Sequence, residues 1–178
     1  MRVNKGLMIA ATFDPTKRTS LITVADMCRK IEENSISLPL YQRDISWTLQ
    51  KCIDLLNYQL WGKAPVSPIS INVINTVDSA VPQVSFIDRE IISTIERGQY
   101  SVVDGQQRLT TNYKAYCNHD DFRNIVLDLG KGEFTEVRDS IRSNQIPVGI
   151  LLNKEDTKLF EYTTVSYTHL TLPTNSLV

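Results

Sequence analysis

Two segments in the first third of the chain repeat apolar residues at helical spacing. The first begins at Thr23, a helix-capping residue with Asp26 three positions later, and predicts a helix that ends near residue 33 or 34. The second takes Ser46 as its cap and predicts a helix through about Leu60, with Gly62 as the usual stop. Its apolar stripe consists of Leu49, Cys52, Ile53, Leu56 and Leu60. Each helix therefore has one apolar face, which must pack against another element.

Alternation of apolar and polar residues predicts strands in the shorter segments that follow. The segment 36–40 predicts a short edge strand, because Pro39 cannot donate a hydrogen bond to a central ladder. The segment 69–73 predicts a half-buried strand, and the segment 84–87 predicts its hairpin partner.

The middle of the chain predicts a strand over 100–103, a turn at Asp104-Gly105 and a helix over 106–116. Two further apolar runs, 125–129 and 146–152, are predicted strands separated by a glycine-containing turn at positions 130 to 132. The resulting order of elements is α, β, α, β, β, α, β, β, without internal repeats. This mixed order predicts an α+β fold.

Composition narrows the class of protein without identifying a partner. The chain has 178 residues with 42% hydrophobic and 22% charged residues, which is typical of one globular domain and excludes a disordered or collagen-like chain. No apolar run approaches the roughly 20 residues that span a bilayer, so no membrane partner is expected.

The three cysteines lie far apart in sequence, which predicts a reduced cytoplasmic protein. A net charge of -1 lacks a basic footprint for nucleic acid, so phosphate contacts must come from a local cluster.

The turn between the predicted strand and helix has the composition of an anion site. A helix that begins after a glycine directs unpaired N–H groups and a partial positive charge outward. Gly105 permits close approach of a ligand, and Arg108 can grip phosphate oxygens. Gln106 or Gln107 can bind a base, a sugar or an attacking water, and Asp104 can hold Mg²⁺ or orient Arg108. The alternative is an ordinary helix with Asp104 as its cap and solvated glutamines.

A second polar group follows the first predicted strand. Tyr41, Gln42 and Arg43 precede Trp47 in a predicted loop, and an arginine near an aromatic ring is a common way to hold a nucleotide. The alternative makes Trp47 a core anchor and places Arg43 in a surface ion pair.

The two strings LPLYQRDISW (38–47) and VDGQQRLTT (103–111) resemble the N-terminal domain of GmrSD-type restriction endonucleases. The resemblance covers roughly residues 19–152, and Asn112 departs from it, since the family usually has a leucine there. It implies a ParB/sulfiredoxin-like domain, a small mixed sheet with flanking helices. It also implies that the domain binds and hydrolyses a nucleoside triphosphate with Mg²⁺ and senses modified DNA. In such proteins a separate module, often a His-Asn-His nuclease, cleaves the DNA.

The resemblance also assigns roles to residues of this chain. The hydrolysing motif would be Asp104, Gln106, Gln107 and Arg108, and the nucleotide-binding residues would be Tyr41, Gln42, Arg43, Gly105 and Thr110. Two other hypotheses share the fold: a non-catalytic ParB-like DNA-binding switch, and a sulfiredoxin-like reductase. The reductase would need a nucleophilic cysteine beside the arginine, and 104–111 contains none.

The two ends of the chain differ from its middle. Residues 1–18 are interpreted as an N-terminal extension, and 19–164 as the domain, truncated at its C-terminal end. Residues 165–178 carry no Lys, Arg, Asp or Glu, and the start of this segment resembles the translation of a transposon-end sequencing adapter. We therefore expect a non-native tail and a nuclease module that is absent from this chain. No metal site is predicted at the polar cluster 119–121, which has the composition of a solvated helix exit.

Overall fold

Two small β-sheets with flanking helices make up residues 22–44, 46–64, 68–78 and 80–152, which the computed structural model describes. The elements are, in chain order, α1 (Val24–Glu32), β1 (Ile36–Pro39), α2 (Leu49–Leu60), β2 (Ser70–Val73), β3 (Gln83–Val84), β4 (Tyr100–Asp104), α3 (Gln106–Tyr116), a 3₁₀ turn (Asp120–Phe122), β5 (Ile125–Asp128), β6 (Glu133–Glu136), β7 (Gln145–Pro147) and α4 (Val148–Leu152). The α+β prediction is confirmed. The predictions for 1–18 and 165–178 lie outside the described residues.

The first sheet is mixed and has the strand order β2-β4-β1-β3. Strands β1 and β4 are parallel, with Ile36 opposite Tyr100, and the other two pairs are antiparallel. Its core cluster consists of Met27, Ile31, Ile36, Leu38, Val84, Phe86, Val102 and Leu109. Thr23 caps α1 by accepting a hydrogen bond from the N–H of Asp26, as the sequence predicts.

The second sheet is antiparallel, with the order β6-β5-β7. Its core cluster combines residues of α2, α3, the 3₁₀ turn, the sheet and α4: Cys52, Ile53, Leu56, Ala115, Phe122, Ile125, Phe134 and Val148. Helix α3 contributes Leu109 to the first core and Ala115 to the second, so this helix joins the two halves of the fold.

The prediction that 36–40 is an edge strand is wrong, because β1 lies between β4 and β3. Pro39 is tolerated because it is the last residue of β1 and lies opposite Gln83, beyond the pairing of β1 with β4. The next residue, Leu40, donates its N–H to the carbonyl of Pro82, so the pairing continues past the proline.

The predicted hairpin of 69–73 with 84–87 is also wrong. Strand β3 pairs with β1, whereas β2 pairs with β4 at the opposite edge of the sheet. Strand β2 is exposed along its whole length rather than half-buried, and Ile69, just before it, packs against the first core instead.

Two other boundaries differ from prediction. Thr48, not Ser46, caps α2 by accepting from the N–H of Lys51, and Leu60 is 44% exposed rather than part of the buried stripe. The run 146–152 begins in β7 but continues as helix α4, because a short apolar run fits either structure. The turn at 130 to 132 joins β5 to β6, a strand that the sequence pattern did not indicate.

Candidate functional site

The predicted strand, turn and helix are present, and the turn depends on Gly105. Strand β4 ends at Asp104, and Gly105 occupies the N-cap position of α3 with a left-handed φ of 96°. A Cβ atom on Gly105 would lie 3.0 Å from Cγ1 of Ile69 and 3.3 Å from an Nη atom of Arg108. The alternative in which Asp104 caps the helix is wrong, since Gly105 holds that position and no side chain caps it.

Arg108 lies at the N-terminal end of its own helix. Its guanidinium is close to Gly105 and donates a hydrogen bond to the carbonyl of Pro68 at 3.1 Å. In the first turn of α3, the N–H of Leu109 donates to the carbonyl of Gly105. The N–H groups of Gln106 and Gln107 precede that of Leu109 in the chain, so they lie at the positive end of the helix dipole. The guanidinium of Arg108 lies beside them.

Three glutamines join this turn to the loop that follows β1. Gln42 donates to the carbonyl of Val103 at 2.9 Å, and Gln106 donates to the carbonyl of Arg43 at 3.1 Å. The Oε1 atom of Gln107 accepts from the N–H groups of residues 46 and 47, at 3.2 and 3.3 Å. We call the described residues 41–44 and 46–47 the loop L1. The alternative of solvated glutamines is wrong, because their amides fix the backbone of L1 against α3 and β4.

Arg89 also holds L1, although no pattern in the sequence indicates it. Its guanidinium donates to the carbonyls of Leu40 and Gln42, and its Nε lies 3.4 Å from the carboxylate of Asp44. The Nη1 atom of Arg89 is buried and has no hydrogen-bond partner among the described residues. These contacts go mainly to backbone carbonyls, so no spacing in the sequence could have revealed them.

The remaining predicted site residues fall into two groups. The first group is exposed around the turn and consists of Tyr41, Arg43 and Asp104, with Tyr41 68% exposed. Arg43 forms no ion pair with a described residue. Thr110 is different, because it is only 1% exposed and its hydroxyl has no partner among the described residues. The structure thus brings the residues of the two strings together and places Thr110 one helical turn further into the fold.

Trp47 belongs to both the loop and the core. Its backbone N–H binds Gln107, while its side chain packs against the second core cluster, as the core-anchor alternative expects.

The cysteines are not placed as exposed nucleophiles, because Cys28 and Cys52 are buried and Cys117 is half-buried. Cys28 is buried, and desolvation raises the pKa of its thiol to about 12. Burial also raises the pKa of Cys117, whereas a nucleophilic cysteine needs a lowered one. Within the described ranges, no group of three metal-ligating side chains is present, and no helix is long and apolar enough to cross a bilayer.

Comparison with known families confirms the resemblance that the two strings carry. The family described as the GmrSD restriction endonuclease, N-terminal domain, matches residues 24–173, and the chain therefore belongs to that family. The match includes both glutamine-containing strings and runs past residue 164 into the segment interpreted as a tail. No curated protein matches the chain.

Proposed function

We propose that this chain is the nucleotide-binding and hydrolysing regulatory domain of a modification-dependent restriction endonuclease that acts in phage defence. The observation that carries the proposal is the start of α3, where a left-handed glycine, a guanidinium and the first N–H groups of the helix meet the glutamine-fixed loop L1. Membership of a restriction endonuclease family supports the link to DNA cleavage.

The start of α3 suits the phosphates of the nucleotide. The N–H groups of residues 106 and 107 precede the bond from Leu109 to Gly105 and provide donors for phosphate oxygens. Gly105 is buried against Ile69 and Arg108, and the Arg108 guanidinium beside it can stabilise charge on the transferred phosphoryl group. The exposed Arg43 on L1 provides a second cation at the edge of the site.

The residues around the turn also fit a magnesium ion bound together with the nucleotide. Asp104 offers an exposed carboxylate at the end of β4, and Mg²⁺ in phosphoryl-transfer sites is held by one or two carboxylates plus substrate phosphates. The ion would neutralise charge on the phosphates.

Gln106 and Gln107 act in this proposal as positioning residues. Both amides are engaged with the backbone of L1, so they set the position of Arg43 and Tyr41 relative to the phosphates. Gln107 can orient water only if it leaves these bonds.

The experiment that tests the proposal compares turnover in matched arginine variants of the full chain. Phosphate release from each of the four nucleoside triphosphates is measured with Mg²⁺, together with thermal unfolding. Arg108→Ala should lower turnover by about 100-fold or more with a nearly unchanged melting temperature. Arg138→Ala, which removes an exposed arginine after β6, should behave like the parent chain. A parent chain that neither binds nor hydrolyses any triphosphate contradicts the proposal.

A second candidate is a ParB-like module that binds nucleotide and DNA without turnover. The observation that favours it is that the amides of Gln106 and Gln107 both bind the backbone of L1, which leaves neither of them to orient water. Stoichiometric nucleotide binding without phosphate release would support this candidate over the first.

A further inference from the structure

A cavity of about 310 Å³ lies along α3, one helical turn beyond the glutamines that hold L1. This volume is at the lower end of the range of about 300–1,000 Å³ that is typical of ligand pockets. The wall is apolar where Trp47, Leu49 and Phe122 line it, and polar at Thr110, Lys114 and Asp121. The cavity is therefore large enough for a small ring system and carries polar groups that could orient it.

The hydroxyl of Thr110 is the observation that points to a ligand. Thr110 is 1% exposed and its Oγ1 atom has no hydrogen-bond partner among the described residues. The neighbouring Thr111 shows the ordinary arrangement, since its hydroxyl donates to the carbonyl of Gln107 at 2.8 Å. Buried hydroxyls are normally paired, so the unpaired hydroxyl of a residue that lines a cavity indicates a missing partner.

Lys114 and Asp121 place a donor and an acceptor side by side in the same wall. The Nζ atom of Lys114 is 2.5 Å from Oδ2 of Asp121, and the lysine side chain is only 16% exposed. Thr110, whose hydroxyl can donate or accept, lies four residues before Lys114 and lines the same cavity. The edge of a nucleobase presents both donors and acceptors, while its faces pack on aromatic and apolar side chains.

The position of the cavity relates it to the phosphate site. Thr110 and Thr111 lie four residues after Gln106 and Gln107, so they share the helix face that L1 crosses. Four residues advance about 6 Å along a helix axis. Trp47 belongs to both regions, because its N–H binds Gln107 and its side chain lines the cavity.

We propose that this cavity receives the nucleobase of the nucleotide whose phosphates lie at the start of α3. The assignment rests on the proposed function, which places the phosphates there. Thr110 and the Lys114–Asp121 pair bind the edge of the base, and Trp47 and Leu49, which are only partly buried, contact its faces.

The test compares the binding of ATP, GTP, CTP, UTP and inorganic tripolyphosphate by calorimetry, using the full chain. Thr110→Val keeps the shape of the buried side chain, and Asp121→Asn removes the charge of the acceptor. Asp120→Asn is the matched control, because Asp120 is the adjacent aspartate, is paired with Arg123 and is not among the cavity-lining residues. Thr110→Val should weaken the preferred nucleotide about tenfold, and Asp121→Asn should change the ranking of the four bases. Tripolyphosphate binding should be unchanged in all three variants.

Three results would overturn the assignment. The first is equal weakening of nucleotides and tripolyphosphate in the Thr110 and Asp121 variants, and the second is no change in either. The third is protection of the cavity from hydrogen exchange by a DNA oligonucleotide but by no nucleotide.

The failure of the proposed function is recognisable separately. In that case neither tripolyphosphate nor any triphosphate binds the parent chain, and free nucleosides are then tested by saturation-transfer NMR. Nucleoside binding that Thr110→Val weakens keeps the cavity as a base site, whereas no nucleoside binding overturns it.

Discussion

The Oε1 atom of Gln107 accepts a hydrogen bond from the backbone N–H of Trp47 at 3.3 Å, across 60 positions of the sequence. The same oxygen accepts from the N–H of Ser46, so one side chain fixes two consecutive peptide groups of L1. The glutamine therefore holds the polar loop after β1 next to the N-terminus of α3, where the proposed phosphates bind.

Gln107→Leu should release L1, because two backbone N–H groups lose their common acceptor. Hydrogen exchange at residues 46 and 47 should become faster, and nucleotide affinity should fall about tenfold as the loop moves. Gln107→Glu retains the accepting oxygen and should keep exchange at residues 46 and 47 slow, while its negative charge beside the proposed phosphates should lower nucleotide affinity. Gln50→Leu removes an exposed glutamine from α2 and is the control. Unchanged exchange in Gln107→Leu would show that the loop is held by other contacts.

Alanine substitutions at Gly105 and Gly98 separate the energetic cost of backbone strain from that of steric crowding. Both have a left-handed φ, 96° and 98°, but an added Cβ meets Ile69 only at Gly105 and open space at Gly98. Gly98→Ala should therefore cost about 1 kcal/mol of unfolding free energy, and Gly105→Ala about 3 kcal/mol. Urea unfolding measures both values. Equal losses would mean that Ile69 and the turn before α3 move to admit the added Cβ, so that crowding contributes nothing.

Asn57 connects α2 to the second sheet through the backbone of Phe134. Its Nδ2 donates to the carbonyl of Phe134 at 3.0 Å, and its Oδ1 accepts from the N–H of the same residue at 2.6 Å. Asn57→Ala should cost about 3 kcal/mol, because two buried backbone groups lose their partners. Asn75→Ala, in an exposed position, should cost less than about 0.5 kcal/mol. A similar small loss for Asn57→Ala in chemical unfolding would contradict this role.

Asp128 should make the second sheet sensitive to acid. Its carboxylate accepts hydrogen bonds from the side chains of Gln145 and Asn144 and from the N–H groups of Gly130 and Lys131. The bonds from Gln145, Lys131 and Gly130, that from Gln145 first, lower the pKa of Asp128. Because the native pKa is lower than the unfolded value of about 3.9, the stabilisation is complete above that pH. It is lost as the pH falls through the native pKa.

The measurement is the unfolding free energy as a function of pH from neutrality down to about pH 2. Asp128→Asn should be less stable near neutrality and lose less stability on acidification than the parent. Asp139→Asn, at an exposed position, should follow the parent curve. Parallel curves for the parent and Asp128→Asn would exclude this carboxylate as the source of acid sensitivity.

The local parts of the fold could be predicted from the sequence. Thr23 and Asp26 mark the start of α1, and Asp104-Gly105 marks the turn before α3, because caps and left-handed glycines depend on nearby residues. Strand pairing depends on distant residues, and for that reason the partners of β2 and β3 were predicted wrongly. Pro39 suggested an edge strand, since its position at the end of β1 is visible only in the pairing.

In the candidate site too, local features could be predicted from the sequence and long-range contacts could not. Gly105 and Arg108 follow from the chemistry of a helix N-terminus, and the structure places both at the start of α3. The structure also brings Gln42 and Gln106 to one loop, although the sequence could suggest only that the two strings mattered together. Arg89 could not be found, because its contacts are to carbonyl groups that every residue has.

The most direct measurement is an amide NMR titration of the full chain with nucleoside triphosphates and Mg²⁺. The N–H groups of Gly105 to Arg108 should shift most, with those of L1 next, and Arg108→Ala should abolish the shifts. Perturbations confined to other parts of the chain, or none at saturating triphosphate, would contradict a nucleotide site at the start of α3.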